Sequence, residues 1–201
     1  MGNHPYPKSM ERLIHHLSKL PTIGRKSAQR LAYRLLEMDD SFVEELASSI
    51  VEVKEKIHPC DNCGNLTDEK ICSICQDPQR DPSIITVVED SQAVISIEKT
   101  KSYHGEYHVL GGLLSPRDNI SFEDLNIDSL LRRKEDPELK EVILALSPTT
   151  DGDMTANFIA ELLKDRDITV SRIAKGIPIG ANLDSFDETS LYMAIQERRK
   201  I

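Results

Sequence analysis

Four cysteines fall within sixteen residues of this 201-residue chain: Cys60-Asp-Asn-Cys63, eight residues, then Cys72-Ser-Ile-Cys75. A Cys-x2-Cys turn sets two thiolates on one side of a tight knuckle, and two knuckles complete a tetrahedron around zinc. Gly64 follows the second Cys, where such a turn often needs positive φ. Two disulfides are the alternative. The polar stretch 1–19 has no apolar run followed by a small-residue cleavage site, so a cytosolic chain with reduced thiols is expected. The paired spacing therefore points to structural zinc, with four protein ligands and no open position for a substrate. His58 lies nearby but is surplus to a four-cysteine set.

Two other groups could do chemistry. Lys26, Arg30 and Arg34 are spaced four apart, which on a helix makes one basic face. Just before them runs Leu20-Pro21-Thr22-Ile23-Gly24, a turn rich in breakers. A helix starting after Gly24 aims its free N–H groups outward, where an anion suits them. The pattern alone leaves open whether this face grips phosphate or only meets solvent. The second group is acidic: Glu89, Asp151 and Asp153. Carboxylates converging beyond strand ends could hold Mg²⁺ through oxygen ligands.

The elements that must position these groups follow from periodicity. Helices are predicted over 8–19, 25–37 and 41–57. Ala28, Leu31, Ala32 and Leu35 form the expected core stripe of the second. Phe42, Leu46, Ile50, Val53 and Ile57 make the third amphipathic, so it should close a small bundle. From about 83 the pattern changes. Short apolar runs at 84–88, 107–110, 142–146 and 168–170 read as buried parallel strands. Helical stretches at 91–100, 121–134 and 154–164 alternate with them. This is a small α/β sheet with helices on both faces. Ligand sites in such sheets lie beyond the carboxyl ends of the strands, where Glu89 and the Asp pair fall. His104 and His108 have no partner at ligand spacing, and His108 should be packed within a strand. Residues 172–186 read as extended and irregular, and a last helix is expected over about 187–199.

Composition bounds the partners. Hydrophobic residues at 39% are enough for a packed core. No apolar run is long enough for a transmembrane helix. Trp is absent and aromatics are 4%, which argues against a base-stacking sheet. The net charge of −9 hides an asymmetry. Residues 1–36 carry seven Lys/Arg against one acid, a surplus of six, and leave the remainder at −15. A basic arm on an acidic body suggests that one end touches phosphate and the rest takes metal or basic partners.

Several resemblances rest on these residues. Leu-Pro-x-Ile-Gly-x-Lys-Ser-Ala-x-Arg-Leu resembles a helix-hairpin-helix, a motif that grips the DNA backbone without reading sequence. Thr22 stands where such hairpins usually have Gly, and a β-branched residue at positive φ is strained. Glu89 with Asp151 and Asp153 resembles the acidic set of a Toprim domain, in which the Glu serves acid–base chemistry and the Asp pair binds metal. In order and spacing, with Tyr107-His-Val-Leu110 and Arg172-Ile-Ala-x-Gly-Ile-Pro-Ile-Gly180, the whole chain resembles the RecR family of bacterial recombination mediators. Ala181-Asn182 departs from the family, which usually has Gly followed by an acid there.

The resemblance implies an α+β multi-module chain. Its expected parts are a helix-hairpin-helix region at 1–57, a four-cysteine zinc finger at 58–80, a Toprim domain at 81–176 and a C-terminal segment at 177–201 that makes an oligomer contact. It implies one structural zinc on Cys60, Cys63, Cys72 and Cys75, and Mg²⁺, if bound at all, in no catalytic role. It implies a homotetrameric, non-enzymatic clamp that meets single- and double-stranded DNA through Lys26 and Arg30, with Arg25, Arg34 and Gly24 beside them. The implied protein partners are RecO and RecF, in loading RecA at single-stranded gaps. Glu89, Asp151 and Asp153 would serve partner binding, in a cytoplasmic, nucleoid-associated protein without membrane contact. The alternative is a Mg²⁺-dependent Toprim nuclease.

Overall fold

The computed structural model describes residues 6–174, 177, 180, 182–196 and 198. Two compact units divide the chain at Ile57/His58. The first unit holds three helices: α1 (Lys8–Leu17), α2 (Arg25–Leu36) and α3 (Asp40–Lys56). Gly24 is the N-cap of α2, in extended conformation. Ala28 and Ala32 are fully buried against Met10 and Ile14 of α1, with Leu13, Leu17 and Ile23 packed around them. Two alanines on the contact face let the helices approach closely, as ridges into grooves require. The predicted core stripe is thus half right, because Leu31 is exposed and Leu35 only partly covered.

The expectation that the third helix closes a bundle is corrected. No residue of α3 is buried, and Phe42, Leu46, Ile50, Val53 and Ile57 all stand exposed. Amphipathic spacing says that a face favours burial, and it does not name the surface that covers it.

The second unit begins with a two-residue hairpin, β1 (His58–Pro59) against β2 (Leu66–Thr67), and a single helical turn, α4 (Ser73–Gln76). Then come β3 (Asp81–Val88), α5 (Ser91–Glu98), β4 (Gly105–Val109), α6 (Ile127–Arg133), β5 (Glu141–Ala145), α7 (Thr150–Leu163) and β6 (Thr169–Arg172). The four longer strands form a wholly parallel sheet in the order β4-β3-β5-β6. Its β-branched runs fit a sheet buried on both faces. One face packs Ile85, Val87, Val142 and Leu144 on Leu130 of α6 and Ile159 and Leu163 of α7. The other packs Val88, Tyr107 and Val109 on Val94 of α5 and on Ile74 of α4. Each fully buried aliphatic side chain contributes roughly 1.5–3 kcal/mol by leaving water.

The predicted helix over 121–134 is broken. A 3₁₀ turn at Phe122–Asp124 is followed by α6, and Asn126 between them is used otherwise. Its N–H donates to Leu110 O at 2.9 Å, and its side-chain amide to Val109 O at 3.1 Å. Its own carbonyl lies 2.7 Å from His108 Nε2. His108 is fully buried, as expected, and Nδ1 has no partner. Burial pushes its pKa down to about 4, so the ring is neutral with its proton on Nε2. The edge strand β4 is also pinned from outside. Arg80 donates to Glu98 at 2.9 and 2.6 Å, and Tyr107 Oη donates to the same carboxylate at 2.6 Å.

After β6 the structure describes a 3₁₀ turn at Leu183–Ser185 and α8 (Glu188–Gln196). Gly176, Pro178, Ile179 and Ala181, on which expectations for the tail rested, lie outside the described residues, as does residue 199 at the end of the expected last helix. Among the described residues, no helix is long and apolar enough to cross a membrane.

Candidate metal centre and nucleic-acid interface

The four cysteine sulfurs gather within 4.8 Å of one another. Cys63 Sγ and Cys72 Sγ are 3.6 Å apart, and all four cysteines are free. A tetrahedron with Zn–S near 2.3 Å has S···S edges of about 3.8 Å. The donor set therefore fits zinc and not two disulfides. Local backbone explains the gathering. In the first knuckle Gly64 N donates to Cys60 O at 2.9 Å, with Gly64 at φ +76°. In the second, the turn of α4 carries Cys75 round to face Cys72, and Gln76 N donates to Cys72 O at 3.1 Å. Amide N–H groups point at the sulfurs, Asn65 N at Cys63 Sγ (3.4 Å) and Cys72 N at Cys60 Sγ (3.3 Å). Cys75 is lowered to about 6, first by its hydrogen bond from Cys63, and the same bond, with burial second, pushes Cys63 up. Burial raises Cys72 as well. Binding a cation here must release thiol protons, so affinity for metal rises with pH.

On the first unit, Lys26, Arg30 and Arg34 stand exposed on the side of α2 away from Ala28 and Ala32. The turn before α2 takes the geometry that its residues resist, since Thr22 sits at φ +68°. Arg25 points to a different recess, with Lys8, Arg12 and His15 of α1. Arg34 is paired with Glu37 at 3.0 Å, both side chains well exposed, so solvent screens the pair.

The three acids do not gather. Glu89 accepts from Ser147 Oγ at 2.8 Å, across the crevice between β3 and β5. Asp153 pairs with Arg172 at the end of β6. Asp151 lies 4.0 Å from Arg117. Among the described residues, only the cysteines form a group of three or more ligands close enough to share an ion. The start of α7 decides how the Asp pair is presented. The chain starts α7 at Thr150, four residues earlier than predicted, because Thr149 caps it by accepting from Gly152 N at 3.1 Å. Asp151 and Asp153 are then two apart in the first turn of a helix, about 200° around its axis.

Residues 10–54 match the family described as "RecR, helix-hairpin-helix". Residues 57–77 match the RecR zinc finger domain built on four cysteines, and 83–174 match "Toprim domain". The chain is 64% identical over 198 residues to the "Recombination protein RecR" of Finegoldia magna, covering 98% of each chain. It is 46% identical to the proteins of that name from Bifidobacterium adolescentis and Staphylococcus saprophyticus, over 98% of its own length. The chain belongs to the RecR family.

For a RecR-family chain, the contacts that fasten the zinc knuckle to the sheet are the part that spacing does not announce. Val109 N, at the end of β4, donates to Cys63 O at 2.7 Å. Ser129 Oγ of α6 donates to Asn62 O at 3.3 Å, and Leu66 N donates to Ser91 Oγ of α5 at 3.0 Å. Beside these contacts, Arg133 of α6 donates to Tyr107 O at 2.5 Å and pairs with Glu106, which holds α6 on β4. In this RecR-family fold the finger is wedged on the sheet edge. The only sequence signal was Gly64, predicted for a positive φ and needed also for a close approach.

Proposed function

We propose that this chain is a non-enzymatic, DNA-binding recombination mediator that acts in recombinational repair. It assembles as a homotetrameric clamp and works with RecO and RecF to load RecA at single-stranded gaps, in the cytoplasm and at the nucleoid. Its modules are 1–57 for DNA, 58–80 for one structural zinc held by Cys60, Cys63, Cys72 and Cys75, 81–176 for partners, and 177–201 for oligomer contact. Lys26 and Arg30 hold backbone phosphates, with Arg25, Arg34 and the free N–H groups after Gly24 contributing. Glu89, Asp151 and Asp153 serve basic partner side chains, which an acidic body attracts. The observation that carries the reading is the exposed basic face of α2, directly after the hairpin, in a RecR-family chain. A Toprim nuclease would need its acids on a common cation, and their separate partners count against it.

The test is salt dependence. DNA binding should be insensitive to sequence and fall steeply with salt, because phosphate contacts release counterions. Changing Lys26 and Arg30 together to Ala should reduce the log–log slope on duplex by about two if each neutralises one phosphate. An unchanged slope would mean that these side chains only meet solvent.

A further inference from the structure

The basic face of α2 carries an aromatic ring. Lys26, Arg30, Tyr33 and Arg34 stand at i, i+4, i+7 and i+8, one stripe along the helix. With Tyr6 they line an open groove of about 920 Å³. Tyr33 is 52% exposed, on the same helix whose inner residues Ala28 and Ala32 are fully buried. Its ring meets Tyr6 edge-on, with centroids 6.3 Å apart and planes at 68°. Such a neighbour braces a ring without covering both its faces. The chain has only five tyrosines and no Trp, yet two of the five meet here, beside the basic stripe of α2. Lys26 and Arg30 are about one turn apart, roughly 6 Å, close to the spacing of successive phosphates on a strand. Scarce aromatics speak against a stacking sheet, but one base needs one ring.

We propose that this groove is a single-strand site. One unpaired nucleobase stacks on Tyr33, while Lys26, Arg30 and Arg34 hold the flanking phosphates. A base–aromatic stack tolerates any sequence, because every base has a π-face. A duplex keeps its bases inside, so Tyr33 adds nothing to duplex affinity. The ring thereby gives a backbone-gripping helix a preference for gapped or unpaired DNA. This rests on the reading that α2 contacts DNA.

The experiment measures binding of the full chain to a labelled oligothymidine and to a labelled duplex, for wild type, Tyr33→Leu, Tyr33→Phe and Lys26→Ala. Tyr33→Leu should weaken the single strand about tenfold and leave the duplex unchanged. Tyr33→Phe should bind like wild type, since the ring suffices. With no Trp present, emission comes from the five tyrosines, and the part quenched by oligothymidine should shrink in Tyr33→Leu. Lys26→Ala should weaken both ligands. If Tyr33→Leu weakens both ligands alike, or neither, the stacking site is refuted while the basic face stands. If wild type binds neither ligand, the DNA reading itself fails and the site with it.

Discussion

Gly64 offers the sharpest test of how the zinc knuckle is seated. A Cβ built there would lie 2.6 Å from Asn126 Nδ2 and 2.7 Å from Val109 O. The first neighbour is a side chain that could swing away, at the loss of its 3.1 Å bond to Val109 O. The second is backbone at the end of β4, and the N–H of the same residue is already held by Cys63 O. It cannot retreat without pulling on the strand. In Gly64→Ala three costs therefore add. Positive φ (+76°) in an L-residue costs about 1–2 kcal/mol. Losing the Asn126 bond costs about 1 kcal/mol. Overpacking against the carbonyl costs about 1–3 kcal/mol. The expected loss is about 3–6 kcal/mol, and the melting temperature of the zinc-loaded chain should fall by roughly 10 °C or more. Gly111 supplies the control. It sits at φ +84° with nothing within 4 Å of a Cβ, so Gly111→Ala bears only the backbone cost of about 1–2 kcal/mol. Zinc content should stay the same in both, because no sulfur is touched. Equal thermal losses in the two variants would refute the claim that the knuckle is wedged on the strand end.

Two further outcomes are expected. His108 is neutral when folded, with its pKa held near 4, against about 6.5 in the unfolded chain. The unfolded state therefore takes up the proton first, and stability present above pH 6.5 is lost as pH falls towards 4, by about 3 kcal/mol in all. Comparing denaturant midpoints of wild type and His108→Leu across that window isolates the effect, and parallel curves would exclude His108 as its source. Thr22→Gly should leave thermal stability equal or raise it by up to about 1 kcal/mol, since relief of a β-branched residue at φ +68° outweighs the added freedom of the unfolded chain. A clear loss of stability would show that the Thr22 side chain makes a contact worth more than its strain.

How much of this was legible in the sequence depends on how local the physics is. The cysteine quartet was legible because metal ligation fixes spacing within a few residues, and the structure brings all four sulfurs together. The strands were legible because β-branched runs such as Ile84-Ile85-Thr86-Val87-Val88 fit a sheet covered on both faces. The exposure of α3 was not legible, because an amphipathic stripe marks a face that favours burial and not whether a surface covers it. What was missed at the acids is a helix start four residues early, which places Asp151 and Asp153 in the first turn of α7. The signal was present in Thr149, a capping residue three places before Gly152.

Tyr33 shows the opposite failure. Composition made aromatics look negligible, and the hairpin pattern drew attention only to charge, yet periodicity already placed the ring on the stripe of Lys26 and Arg30. Charge alone draws this helix to any phosphate backbone, and more to the denser charge of a duplex than to a single strand. Discrimination between a gap and a duplex requires a group whose interaction exists only when a base is free, and on α2 the exposed ring of Tyr33 is the side chain with that property.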